Sequence, residues 1–198
     1  MGISREKAAE NREAIVAAAE RLFREHGVDA VGLTALMKEA GFTQGGFYNH
    51  FKSKDALVAA VLARAVEGTG GVLAGGDVAL QAAMSPEERV ERYLSPAHRD
   101  DVACGCAMAG FAGDAPRIGP EAQACYAQGL ADVIGTLTGA ALAQGMTEQD
   151  AAQAAMARFS QMVGTLVLSR AVAGADPVLS EALLAAGRQA LTGRAKGA

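Results

Sequence analysis

Apolar residues in the first third of the chain recur at three- and four-residue intervals, the signature of helices with one buried face. Within 6–26 that face carries Ile15, Ala18, Ala19, Leu22, Phe23 and His26, and Gly27 supplies a stop. A short helix is predicted over 33–40, with Leu33, Leu36, Met37 and Ala40 turned inward, ended by Gly41. Thr43 is placed to cap a third helix of about 44–50, and Ser53 a fourth from Lys54 to about Val66. A glycine-rich passage (Gly68, Gly70, Gly71, Gly75, Gly76) reads as a hinge or loop.

Beyond it, Ser85-Pro86-Glu87-Glu88 combines a capping box with proline at the first helical position, so a new helix begins there. Ser95-Pro96 interrupts the pattern. A short apolar helix follows over 104–113, a longer one over 120–144, one over about 148–173 capped by Thr147, and a last one over about 177–192 capped by Asp176. Val and Ile rarely alternate with polar residues, so half-buried strands are not expected. The pattern predicts an all-α protein of about nine helices. It divides into an N-terminal three-helix domain over 1–53 and a helical bundle over 54–198.

Composition adds little against this. Alanine and leucine supply much of the apolar content, and both favour helix. The net charge of −4 at first argues against a nucleic-acid partner, which usually meets a basic face. Residues 1–57, however, balance eight basic against eight acidic side chains, so the whole acidic excess lies in the remainder. Lys52 and Lys54 cluster at one end of the N-terminal domain. No apolar run approaches the roughly 20 residues that span a bilayer, and the polar start has no secretory core. Three cysteines suit a reducing cytoplasm better than a disulfide framework. A cytoplasmic location is expected.

The most informative spacing lies in 33–51. Two short helices around a glycine turn are the elements of a helix-turn-helix, whose second helix enters the major groove. Leu36, Met37, Phe42, Phe47 and Phe51 can build its small core, and Gly41 permits a left-handed turn. Thr43, Gln44, Gly45, Gly46, Tyr48, Asn49 and His50 stay outside, a polar and aromatic face with no carboxylate. The adjacent glycines Gly45 and Gly46 cost about 1 kcal/mol each in an α-helix relative to alanine, which close backbone approach to DNA would offset.

The stretch GFTQGGFYNHFKSKDAL, from Gly41 to Leu57, resembles the DNA-binding signature of TetR-family regulators, and Ile15 to Gly27 resembles the family's first helix. The strong likeness covers about residues 10–62. It implies a dimeric, ligand-responsive repressor that reads palindromic operator DNA, with no cofactor and no enzymatic role. Thr43 and Gln44 would open the recognition helix, and Gly45 would let backbone approach the duplex. Tyr48, Asn49 and His50 would contact phosphates and base edges, Lys54 would bind phosphate, and Thr34 would make a further backbone contact. Gly46 stands where the family usually has a small hydroxyl residue, and Gly32-Leu33 where a hydroxyl cap is usual.

The C-terminal half carries two further expectations. Met156, Phe159, Met162, Val163, Leu166 and Val167, with Leu179, Leu183, Leu184 and Leu191, exceed what one small bundle needs and are candidates for a two-fold interface, or else monomer core. A small-molecule effector cavity, implied by the resemblance, would draw on Tyr93, Met108, Phe111, Tyr126, Phe159 and Met162, a set equally readable as plain core. Cys104 and Cys106, with Cys125 on the next helix, leave three readings open: buried structural thiols, a reactive sensor, or a metal site with His98. The spacing is far from that of zinc ribbons, and no metal is expected. In the sensor reading Cys106, at a helix start with Arg99 or Arg117 near, reacts first and releases DNA in place of a noncovalent ligand. A thiol enzyme on Cys104 or Cys106 would need a base, for which His98 is the sole histidine of this half. A helical interaction module without DNA activity is the remaining alternative.

Overall fold

The computed structural model describes residues 5–67 and 84–193, which form helices and turns with no strand among them. The glycine-rich passage over 68–76 lies outside the described residues. In chain order the helices are α1 (Arg5–His26), α2 (Leu33–Glu39), a 3-10 segment (Gln44–Asn49), α3 (Lys54–Glu67), α4 (Pro86–Tyr93), α5 (Pro96–Asp100), α6 (Ala107–Gly110), α7 (Pro120–Leu142), α8 (Glu148–Val172) and α9 (Pro177–Thr192). Among them no helix is long and apolar enough to cross a membrane.

Most of the boundaries follow from local chemistry. Ser85 accepts from the Glu88 amide while the Glu88 carboxylate accepts from the Ser85 amide, so α4 starts on a complete capping box. Thr147 and Asp176 cap α8 and α9 through the amides of Asp150 and Leu179. Ser95-Pro96 does not interrupt a helix but opens α5, with Ser95 accepting from the His98 amide. It is the same serine-proline start that opens α4. Thr43 makes no side-chain cap, and the segment after it winds as a 3-10 helix rather than the α-helix expected. Gly45 and Gly46 give an α-turn little support, and the Gly46 amide bonds back three residues to the Thr43 carbonyl.

One core runs through the molecule. Ile15, Ala19 and Phe23 of α1, Leu36 and Met37 of α2, and Phe47 and Phe51 are buried together. They continue through Leu57, Val61 and Leu62 of α3 into Tyr93, Met108, Phe111, Phe159 and Met162 of the bundle. His26 is exposed, not inward-facing, whereas Arg24, two residues earlier, is buried. Of the proposed interface set, Phe159, Met162, Leu166 and Leu184 are buried within one chain, whereas Met156 and Leu179 stay exposed, joined by Leu168 and Val178.

The two halves are joined by α3, which packs on α1 at one side and along α7 at the other. Helices α3 and α7 pack tightly at Gly129, where a β-carbon would stand 2.4 Å from Val66 Cγ2. Gly129→Ala should therefore lower stability by about 1–3 kcal/mol despite alanine's better helix propensity. Adding Val66→Ala should recover part of the loss, and denaturant unfolding of the three variants checks both expectations.

Candidate nucleic-acid interface and its tie to the bundle

Phe47 organises the N-terminal face. Its ring is fully buried, stacked on Phe51 at 5.8 Å and edge-on to Tyr48 at 5.3 Å. With that ring anchored, Tyr48 is thrown outward and is 67% exposed. Gly41, at φ +82°, makes the left-handed turn that swings the chain from α2 into this segment. Thr43, Gln44, Gly45 and Asn49 are exposed beside Tyr48, and His50 is half-buried with its ring tilted on Phe42. Thr34 donates from its hydroxyl to Gln44 Oε1 at 2.8 Å, which fixes the start of the segment against α2 and leaves the Gln44 amide hydrogens outward.

From residue 40 to residue 54 the chain carries no carboxylate, and the flanking Glu39 is neutralised by Arg21. Lys54 reaches back to the Val28 carbonyl at 2.6 Å, over the Phe23 ring, so its ammonium positions the turn after α1 while its remaining hydrogens stay available. A β-carbon at Gly46 would make only ordinary contacts, so packing does not require glycine there.

Behind this face, the buried Arg24 guanidinium leaves α1 for the bundle. It pairs with Glu20 at 2.5 Å and donates to the Gly105 carbonyl at 2.5 Å. Gly105 sits in a cage: a β-carbon there would meet the Asp101 carbonyl at 2.5 Å, Arg170 Nη2 at 2.9 Å and His98 Nε2 at 2.9 Å. Arg170 of α8 donates to the carbonyls of His98, Arg99 and Asp101, sewing the same loop to the bundle. Nearby, the Val28 amide donates to Asp114 Oδ2 at 3.4 Å, a second tie from the head to the bundle.

The cysteines belong to this loop. Cys106 is 1% exposed at the start of the four-residue α6, whereas Cys104 is exposed and Cys125 intermediate. A reagent from solvent therefore reaches Cys104 before Cys106, the reverse of the order expected from sequence. Arg99 turns away to Asp100, Ser180 and Glu181, and Arg117 to Asp114. The cation beside the Cys106 cluster is Arg170, which sequence reasoning did not single out because it lies 64 residues on, visible only once α8 is folded against the loop. Among the described residues no group of three or more His, Cys, Asp or Glu is arranged to hold a metal.

Around Cys106 stand Tyr93 and Tyr126. Burial raises the Tyr93 phenol well above its ordinary pKa, helped by the adjacent Cys106 thiol, and pushes Tyr126 up to about 12. Tyr126 donates to the Met108 carbonyl at 2.7 Å. Of the six residues proposed for an effector site, Tyr93, Met108, Phe111 and Phe159 are packed core, Tyr126 is half-buried, and Met162 lines a cavity between α4, α7 and α8.

His98 fixes the loop through both ring nitrogens. Nδ1 lies 2.6 Å from the Tyr93 carbonyl and must donate to it, so Nε2 is the acceptor for the Cys106 amide at 3.0 Å. The lone pair a thiol base would need is thus committed to a backbone amide. Burial holds the imidazole below its ordinary pKa, with Arg170 and Arg92 in the same sense and the Tyr93 carbonyl and Asp101 opposing. The unfolded chain therefore takes up this proton more readily. The contribution is complete above the unfolded value of 6.5 and is lost as pH falls from there through the depressed folded value. Stability should decline from pH 7.5 to pH 5.5, with a slope no steeper than the one-proton limit of about 1.4 kcal/mol per pH unit. His98→Gln should flatten that slope, measured by urea unfolding across the interval.

Residues 15–61 match the N-terminal domain model of the bacterial regulatory proteins of the tetR family. The HTH-type transcriptional repressor BepR of Brucella suis is 44% identical over 59 residues, 30% of this chain and 28% of that protein. An HTH-type transcriptional regulator of Staphylococcus aureus strain USA300 is 40% identical over 60 residues, 30% of this chain and 32% of that one. The chain thus matches under a third of the length of these relatives. The fold as a whole is similar to that of a TetR transcriptional regulator from Legionella pneumophila, with TM-score 0.74 and 22% identity over 98% of both chains. It is also similar to reduced NemR of Escherichia coli, with TM-score 0.69 and 20% identity over 96% of this chain and 99% of that one. Residues 15–61 thus carry a tetR-type N-terminal domain, and the chain shares the all-helical architecture of these solved regulators.

Proposed function

We propose that the protein is a cytoplasmic transcriptional repressor that binds a palindromic operator as a homodimer and is released by a small molecule. The observation that carries this is the outward face from Thr43 to Lys54, free of carboxylate and built on the buried Phe47. Thr34, Thr43, Tyr48, His50 and Lys54 serve phosphates. Gln44 and Asn49 reach base edges, and Gly45 lets the backbone approach. Four large apolar side chains exposed on α8 and α9, Met156, Leu168, Val178 and Leu179, support pairing of two copies. Two heads would then meet major grooves about 34 Å apart. Effector binding favours a bundle arrangement in which α3, seated on α7, carries the heads off that spacing.

A thiol reading acts on the same loop. Modification that forces Cys106 out of its buried seat breaks its amide bond to His98 and disturbs Gly105, the partner of Arg24. Exposed Cys104 would be the entry point.

Selection from a random duplex library, followed by anisotropy titration, tests the DNA reading. A palindromic site should emerge, with affinity falling steeply as salt rises. Tyr48→Ala should weaken binding about tenfold on any sequence, and Gln44→Ala should chiefly relax preference at one position per half-site. Parent-like binding by both variants would refute the face. Light scattering should give a dimer, and Leu168→Glu with Leu179→Glu should give a folded monomer with lower operator affinity.

A further inference from the structure

The cavity between α4, the C-terminal part of α7 and the N-terminal part of α8 has a volume of about 160 Å³. Its body is apolar, formed by Val90, Leu137 and Met162 with four alanines of α7 and α8. Arg89, Arg158 and Gln144 line it as well.

Arg21, Arg24, Arg64, Arg99, Arg117 and Arg188 each reach a carboxylate. Arg89 and Arg158, like Arg170, donate to backbone carbonyls, Arg89 to Met84 at 3.0 Å and Arg158 to Pro86 at 3.2 Å. Arg89 Nε is buried with no hydrogen-bond partner among the described residues. Two guanidinium groups therefore line one small apolar cavity, and no carboxylate lines it among the described residues. Partly desolvated like charges of this kind favour an anion, and a guanidinium fork matches a carboxylate in shape as well as charge.

The volume limits the rest of the ligand. An apolar cavity of about 150 Å³ takes one benzene ring. We infer that this cavity binds a small monocarboxylate whose apolar body is a single ring or a short branched chain, with Arg89 and Arg158 holding the carboxylate. The site deepens the effector-released reading above and rests on it only for its consequence. α7 walls the cavity and also seats α3 at Gly129, so a ligand here bears on the helix that carries the head.

Calorimetry on the full chain tests binding apart from DNA. The probes are benzoate, cyclohexanecarboxylate and isovalerate, with benzyl alcohol as the neutral partner of benzoate. At least one carboxylate should bind once per chain, and benzyl alcohol should bind at least about tenfold more weakly than benzoate. Arg158→Gln and Arg89→Gln should each weaken the carboxylate about tenfold and leave the alcohol unchanged. Ala141→Leu, which fills the cavity from a half-exposed position, should abolish binding, and thermal melts verify that each variant is folded. No binding of any carboxylate at millimolar concentration, equal binding of benzoate and its alcohol, or indifference to both arginine changes would overturn the inference. Operator release is read separately. Carboxylate binding with the expected variant losses but without release upholds the site and sinks the effector reading. Release by a carboxylate that survives Arg158→Gln and Ala141→Leu overturns the site and leaves that reading standing.

Discussion

A charge buried inside a protein must be paired, because an unpaired one costs several kcal/mol in desolvation alone. Arg24 is such a charge. Its side chain is 4% exposed, and it belongs to α1, the first helix of the reading head. One partner, Glu20, is on the same helix, but the other is the Gly105 carbonyl, 81 residues along the chain. The guanidinium also lies over the Phe111 ring. The head is thus fastened to the bundle by a side chain that cannot let go of Gly105 without losing a buried hydrogen bond.

What Arg24 holds is itself held. Gly105 and Cys106 are fixed by the His98 ring and by Arg170, which bonds the carbonyls of His98, Arg99 and Asp101 at the end of α5. Gly105 is glycine because the Asp101 carbonyl, His98 and Arg170 already occupy the space of a side chain. A further connection, α3 along α7, is apolar and brings Val66 against Gly129. The Arg24 tie and this one differ in kind. The polar one depends on the protonation of His98 and the seat of Cys106, and the apolar one on the position of α7. Either gives the bundle a means to move the head.

The reading head was legible in the sequence because its determinants are local. Gly41, the aromatic residues of 42–51 and the Ser53 cap lie within a dozen positions of one another. The 3-10 winding was also written there, in Gly45-Gly46, although helix periodicity obscured it. Ser95-Pro96 carried the same start signal as Ser85-Pro86, and only the shortness of α5 hid it. The bundle was less legible for a physical reason: several of its polar contacts join residues 69 to 94 positions apart, such as Arg170 to the Asp101 carbonyl and Arg188 to the Leu94 carbonyl. Burial of Phe159, Leu166 and Leu184 inside one chain, rather than between two, likewise depends on helix packing that residue spacing leaves open.

The linkage between head and loop is tested most directly by amide hydrogen exchange of the full chain with and without its selected operator duplex. The amides of Gly105 and Cys106 donate to the Asp101 carbonyl and to His98, so their exchange reports whether the loop is closed. Operator binding should slow exchange over 34–54 and also over 101–106, far from the DNA face. Protection confined to 34–54, with the 101–106 amides exchanging as in the free protein, would contradict the account.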